Sequence, residues 1–123
     1  MSILIIFYIL NATLLLLHEI ESAYEKEWEI LKLPGEITGF LLLHIPIIFL
    51  LFFGSVELYK QTTIGMVIGI ITGAGGFIPF VVHKLLVRRK ESFNKPISNI
   101  IIILNIFSGI GTIILSAIEI TTP

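Results

Sequence analysis

Hydrophobic and polar positions along the chain fall into four long apolar runs separated by three short polar connectors. The runs cover approximately residues 3–18, 37–54, 63–87 and 97–120. A hydrocarbon core about 30 Å thick is crossed by about 20 helical residues, so each run is long enough to span it, the first two with their flanks included. None shows the alternation of a barrel strand, and in lipid a helix satisfies its own backbone hydrogen bonds. The pattern predicts an all-α integral membrane four-helix bundle, a single transmembrane domain over residues 1–123 with short connectors.

The breakers fit this frame. Leu33-Pro34-Gly35 ends the first helical region, and Pro96 suits an early position in the fourth span. Pro46 and Pro79 lie inside spans two and three, where each removes a backbone bond, kinks its helix and frees a carbonyl one turn earlier. The first run lacks a cationic leader and a small-residue cleavage site and carries Asn11 mid-span, so it reads as a permanent helix rather than a signal peptide. The two halves show no internal repeat, which does not support an inverted-repeat transporter.

Composition sharpens the class. The 123 residues are 55% hydrophobic and 14% charged, against about 25% charged in an ordinary soluble domain. With no cysteine and a formal net charge of −1, disulfide scaffolds and nucleic-acid partners are excluded. The lipid bilayer is the expected partner. Lys26, Lys32, Lys84, Arg88, Arg89, Lys90 and Lys95 fall in the first and third connectors, leaving only Lys60 in the second. By the positive-inside rule the first and third connectors face the cytoplasm and both termini are non-cytoplasmic. Trp28 with Tyr24 on one side, and Tyr59 on the other, fit interfacial aromatic belts.

Two helical faces carry small and polar residues. Gly65, Gly69, Thr72, Gly76 and His83 lie within about 40° of one another on span three, a face built for close helix approach. The same glycine-rich face offers a surface for an oligomer. Ser98, Asn105, Thr112, Ser116 and Glu119 share a line on span four, as expected for a bundle interior, with Glu119 near the outer headgroups.

The candidate chemistry begins at the end of span one, in His18-Glu19-Ile20-Glu21-Ser22-Ala23-Tyr24-Glu25-Lys26-Glu27-Trp28-Glu29. If that helix continues past the membrane boundary, Asn11, His18, Glu25 and Glu29 share one face, Glu21 lies about 60° away, and Glu19 and Glu27 point elsewhere. His18 and Glu21 have the i, i+3 spacing by which one helix gives two ligands to a metal. At 1.5 Å per residue, His44 lies about 10 Å and His83 about 6 Å inside the same boundary, so three histidines from three helices share one layer. His18, Glu21, His44 and His83 are therefore candidate ligands for a divalent metal, Zn or Fe, with Glu21 and Glu25 as candidate catalytic carboxylates. Without a metal the same group could pass protons. A purely structural alternative exists. The acidic first connector can form salt bridges with the cationic third, for instance Glu19 or Glu27 with Arg88 or Arg89.

The composite His-Glu followed by Lys26-Glu27-Trp28, and then His44-Ile45-Pro46, resembles a family of small four-helix bacterial membrane proteins of unknown function. That resemblance implies a multi-pass protein of the bacterial inner membrane. A weaker similarity is to the HXXEE membrane proteins, whose histidines and glutamates suggest an enzymatic site. Here His18 and Glu21 match His-x-x-Glu, Ser22 replaces the second glutamate, and Glu25 stands one turn further on. A looser likeness, by architecture alone, is to sterol-isomerase-like four-helix membrane proteins. The expected function is a metal-dependent or acid–base membrane enzyme acting on a lipid-soluble or small substrate from the cytoplasmic half of the bundle. The alternative is a non-enzymatic proton or ion conductor, or a small structural subunit of a membrane complex.

Overall fold

The first apolar run starts at a capped end: Ser2 Oγ accepts from the Ile5 amide at 3.3 Å, and helix α1 spans Ile3–Tyr24. In this computed structural model, which describes residues 2–86 and 95–122, a one-turn helix α2 (Glu27–Ile30) follows, then α3 (Glu36–Tyr59) and α4 (Thr63–Gly75). A short turn α5 (Ile78–Phe80) runs on as a π-helical segment, Val81–Leu86, and α6 (Pro96–Thr121) closes the chain. No strand occurs among the described residues. Four stretches, Ile3–Tyr24, Glu36–Tyr59, Thr63–Leu85 and Pro96–Thr121, are long and apolar enough to cross a membrane. At 1.5 Å per residue they reach about 33 to 39 Å, so their ends extend beyond the hydrocarbon and carry polar residues out of it.

The bundle is apolar outside and polar inside. Leu42, Phe49, Phe52 and Phe107 are exposed, whereas Asn11, Ser22, Ser98, Asn105, Thr112 and Ser116 are fully buried. Lipid provides no hydrophobic force between helices, so close packing and interhelical hydrogen bonds hold such a bundle. The glycines of α4 supply the close packing within the chain. A Cβ on Gly73 would meet the Gly109 carbonyl at 2.7 Å, one on Gly65 would meet the Glu57 backbone at 2.6 Å, and one on Gly69 would run into Ser116. Asn11 supplies the cross-links: its Nδ2 donates to the Thr72 carbonyl at 2.8 Å, and its Oδ1 accepts from Ser108 at 3.1 Å. This one side chain ties α1, α4 and α6 together.

The molecule is polarised along its length. At the end where the N-terminus lies, Leu4, Ile5, Tyr8, Leu58, Met66 and Ile68 form an apolar core. Most of the ionisable side chains collect at the opposite end; Glu57, buried and 3.4 Å from Lys60, and Glu119 are among the exceptions. Helix α3 is the least firmly attached, packing mainly on α4 and only lightly on α1, which leaves a cleft between the three. Trp28, expected at an interfacial belt, is buried against Phe40, ring centroids 5.6 Å apart, because the turn carrying it folds back onto α3. Tyr24 does remain outside, with Lys95 Nζ 5.7 Å from its ring centre. Lys84 Nζ donates to Asn99 Oδ1 at 2.6 Å, joining the π-helical segment to the start of α6. Arg88 and Arg89, the cations considered for salt bridges to Glu19 and Glu27, lie outside the described residues.

Candidate metal centre

Helix α1 stops where the side-chain pattern predicts that it continues. Glu25 caps it, and Lys26 then takes a left-handed backbone with φ 53°. That conformation costs a non-glycine residue about 1–2 kcal/mol, and here it reverses the chain direction. The short helix α2 folds back under the bundle and carries Glu27 inward, to 9% exposure. On an unbroken helix Glu27 would point away from His18. The reversal at Lys26 corrects that expectation.

His83 reaches the same place from the other side. Pro79 has no N–H and its ring collides with the carbonyl one turn back, so the regular ladder of α4 ends at Gly75. The chain resumes as a wider π-helical segment, and His83 faces inward at 5% exposure. Its ring centroid lies 5.0 Å from that of His18, and its Nε2 is 3.1 Å from Glu27 Oε1. Ser22, one turn along α1, contacts His18 Nε2 at 3.4 Å and lies close enough to Glu27 to favour its charged form.

His18, Glu27 and His83 each offer a ligand atom, all within 4.8 Å of one another. A tetrahedral ion with bonds of about 2.0–2.1 Å holds its ligand atoms about 3.4 Å apart. The Glu27–His83 contact, at 3.1 Å, is already near that length, and the widest separation in the group, within 4.8 Å, closes to it by a shift of up to about 1.4 Å. Two imidazoles and a carboxylate suit a borderline divalent ion such as Zn²⁺ or Fe²⁺. Burial pushes the Glu27 carboxyl up, but contacts with His83 and Ser22 and the nearby imidazole charge outweigh it and hold the group below the ordinary carboxylate range. Glu27 is thus disposed to remain an anion, the form a metal ligand needs.

The other residues predicted for the site are distributed differently. Glu21 accepts from the Ser98 hydroxyl of α6, a partner reached because Glu21 lies about 60° round α1 from His18. Glu25 is half-buried at the end of α1. His44 stacks on Phe40, centroids 4.1 Å apart, and bonds Glu19 rather than joining His18 and His83. Pro46 releases Leu42 by the i, i−4 rule, whereas His44 Nδ1 donates to the Phe40 carbonyl at 2.6 Å.

His44 and Glu19 form a second unit. Because Nδ1–H is given to a carbonyl, which only accepts, the 2.5 Å contact between His44 Nε2 and Glu19 Oε2 holds a single shared proton. The pair is neutral as a whole, whichever partner carries that proton. Glu19 and His18 are neighbours on α1, so the two units adjoin.

The sequence model of one family matches residues 4–119. The chain belongs to DUF6713, a family of unknown function. No curated protein and no solved structure matches it. This membership agrees with the small, four-helix resemblance carried by His18, Lys26-Glu27-Trp28 and His44-Ile45-Pro46. The structure gives that composite a physical meaning. His18 and Glu27 belong to the three-residue group, Lys26 makes the reversal, Trp28 packs that turn onto Phe40, and Phe40 stacks on His44. Two partners escaped the reading of helical faces, Glu27 and Glu19. The Lys26-Glu27-Trp28 triplet was the signal available for the first, and no periodicity marked the second.

Proposed function

We propose that the protein is a metal-dependent membrane enzyme whose centre is His18, Glu27 and His83, in the cytoplasmic half of the bundle. The observation that carries this reading is the convergence of these three buried side chains from three separate segments. His18, Glu27 and His83 would hold the ion, and with three protein ligands it would supply Lewis-acid chemistry, for a substrate oxygen or a water molecule. Glu27 supplies the anionic ligand, Ser22 braces both Glu27 and His18, and the adjoining Glu19–His44 pair holds a proton beside the centre. The substrate is small or lipid-soluble, since the pair lines a cleft between transmembrane helices. Lys26, Lys32, Lys84 and Lys95 at the same end as the centre support an orientation with both termini outside, and the family resemblance supports a bacterial inner membrane.

The test is metal analysis of detergent-purified protein loaded with Zn²⁺ or Fe²⁺ and then desalted. Wild type and His44→Ala should retain one equivalent, whereas His18→Ala, Glu27→Gln and His83→Ala should lose it. Wild type that retains no ion sinks the metal reading.

A second reading, a proton or ion conductor, has one observation in its favour. Ser98, Asn105, Ser108, Thr112 and Ser116 form a buried polar line along α6. Proton flux into liposomes that is lost in Asn105→Leu but kept in His83→Ala would favour conduction over the enzyme.

A further inference from the structure

The structure assigns a second site, a binding cleft for a single-chain lipid bearing a hydroxyl group, with Glu19 as the acceptor of that hydroxyl. The cleft has a volume of about 270 Å³, near the lower end for small-molecule sites, and lies between α1, α3 and α4. Its walls are largely aliphatic (Leu16, Ile47, Ile48, Ile71), which suits a hydrocarbon chain arriving from the bilayer. Polar groups are few. Thr72 lines it, but its hydroxyl donates to the Ile68 carbonyl at 2.9 Å within its own helix. That leaves Glu19 and His44 to meet a head group.

The hydrogen-bond geometry then selects the head group. Both ring nitrogens of His44 are engaged, one by Phe40 and one by Glu19 Oε2. Oε1 is the remaining polar atom of the pair. It accepts whether Glu19 is a carboxylate or a carboxylic acid whose proton points at His44. A ligand must therefore bring a donor. The aliphatic walls leave a charged head group without water, so an uncharged donor is the one the cleft suits. A long-chain alcohol meets both conditions, whereas its ether or an alkane does not.

Gly75 makes the cleft testable. A Cβ there meets only Leu15 Cδ1, at 3.8 Å, unlike the glycines packed against α3 and α6. A larger side chain at this position enters the cleft rather than a helix interface. The site adjoins the metal centre proposed above, and the assignment of the hydroxyl rests on that reading only for the reaction that would follow binding.

The probes are a diazirine-bearing dodecanol and its methyl ether, photolysed with the protein in phosphatidylcholine vesicles, with labelled peptides located by mass spectrometry. The alcohol should label the α1, α3 and α4 peptides of the cleft about two- to tenfold more than the ether, the value of one net buried hydrogen bond. Gly75→Leu should reduce alcohol labelling to the ether level. Glu19→Leu should abolish the preference for the alcohol while ether labelling continues, which keeps the test independent of how Gly75→Leu folds. Equal labelling by alcohol and ether in wild type overturns the assignment, as does an unchanged preference in Glu19→Leu. Zinc retention measured on the same samples separates the two readings. Loss of zinc binding with the preference intact removes only the metal centre, and the reverse removes only the cleft.

Discussion

Glu27 Oε1 lies 3.1 Å from His83 Nε2, a contact between a connector turn and the broken end of the third transmembrane stretch. Neither residue is near the other along the chain, and neither is placed by a regular helix. Glu27 depends on the left-handed turn at Lys26, and His83 on the π-helical segment after Pro79.

The bracing role of Ser22 should be visible in affinity. Ser22→Ala keeps all three candidate ligands and removes the hydroxyl that contacts His18 and Glu27. Zinc affinity, measured by competition with a chelating dye, should fall roughly 10- to 100-fold, the usual cost of losing an outer-shell partner. An unchanged affinity would mean that the imidazole and carboxylate hold their positions unaided.

Lys26 should tolerate glycine and reject valine. Its φ of 53° suits glycine, whereas a β-branched side chain collides with the backbone there. Zinc binding should persist in Lys26→Gly and weaken strongly in Lys26→Val, with helix content by circular dichroism unchanged in both. Equal zinc binding by the two variants would show that the reversal does not position Glu27.

Two glycines only two positions apart should respond in opposite directions. Gly73→Ala places a methyl against the Gly109 carbonyl at 2.7 Å and should destabilise the bundle by about 1–3 kcal/mol. Gly75→Ala meets ordinary van der Waals space and should be neutral or stabilise by up to about 1 kcal/mol through helix propensity. Reversible unfolding in mixed detergent–SDS micelles measures both.

The two buried asparagines should also diverge. Asn11 bonds both Thr72 and Ser108, so Asn11→Leu should destabilise by roughly 1–2 kcal/mol. Asn105 is equally buried, yet neither its Oδ1 nor its Nδ2 has a hydrogen-bond partner among the described residues. Asn105→Leu should raise stability by about 1–3 kcal/mol, the cost of an unmet buried polar group. The same SDS titration checks the pair, and destabilisation of Asn105→Leu would mean that the amide is satisfied in the membrane.

Much of the architecture was legible in order of sequence because the free energy of placing residues in lipid adds up locally. Four apolar runs of sufficient length predict four helices whatever packs against them. The interior faces were legible for the same reason. Asn105, Thr112 and Ser116 recur on one side of α6, and Gly65, Gly69 and Thr72 on one side of α4, and all are buried. Among the ionisable residues, the shared layer of His18 and His83 followed from counting 1.5 Å per residue from a common boundary.

The pairing within that layer was a different kind of question, and tertiary structure alone decided it. Whether His18 meets Glu21 or Glu27 depends on where α1 ends, and that end depends on Trp28 packing onto Phe40 of another helix. His44 went to Glu19 because Phe40 fixes its ring, a choice made within α3 that no hydropathy pattern records. Length and hydropathy thus determined how many helices there are and which faces turn inward, through additive transfer energies along each segment. Which carboxylate stands beside which imidazole was set by a left-handed turn, a π-helical segment and a loosely attached helix, features whose energies exist only once the segments are in contact.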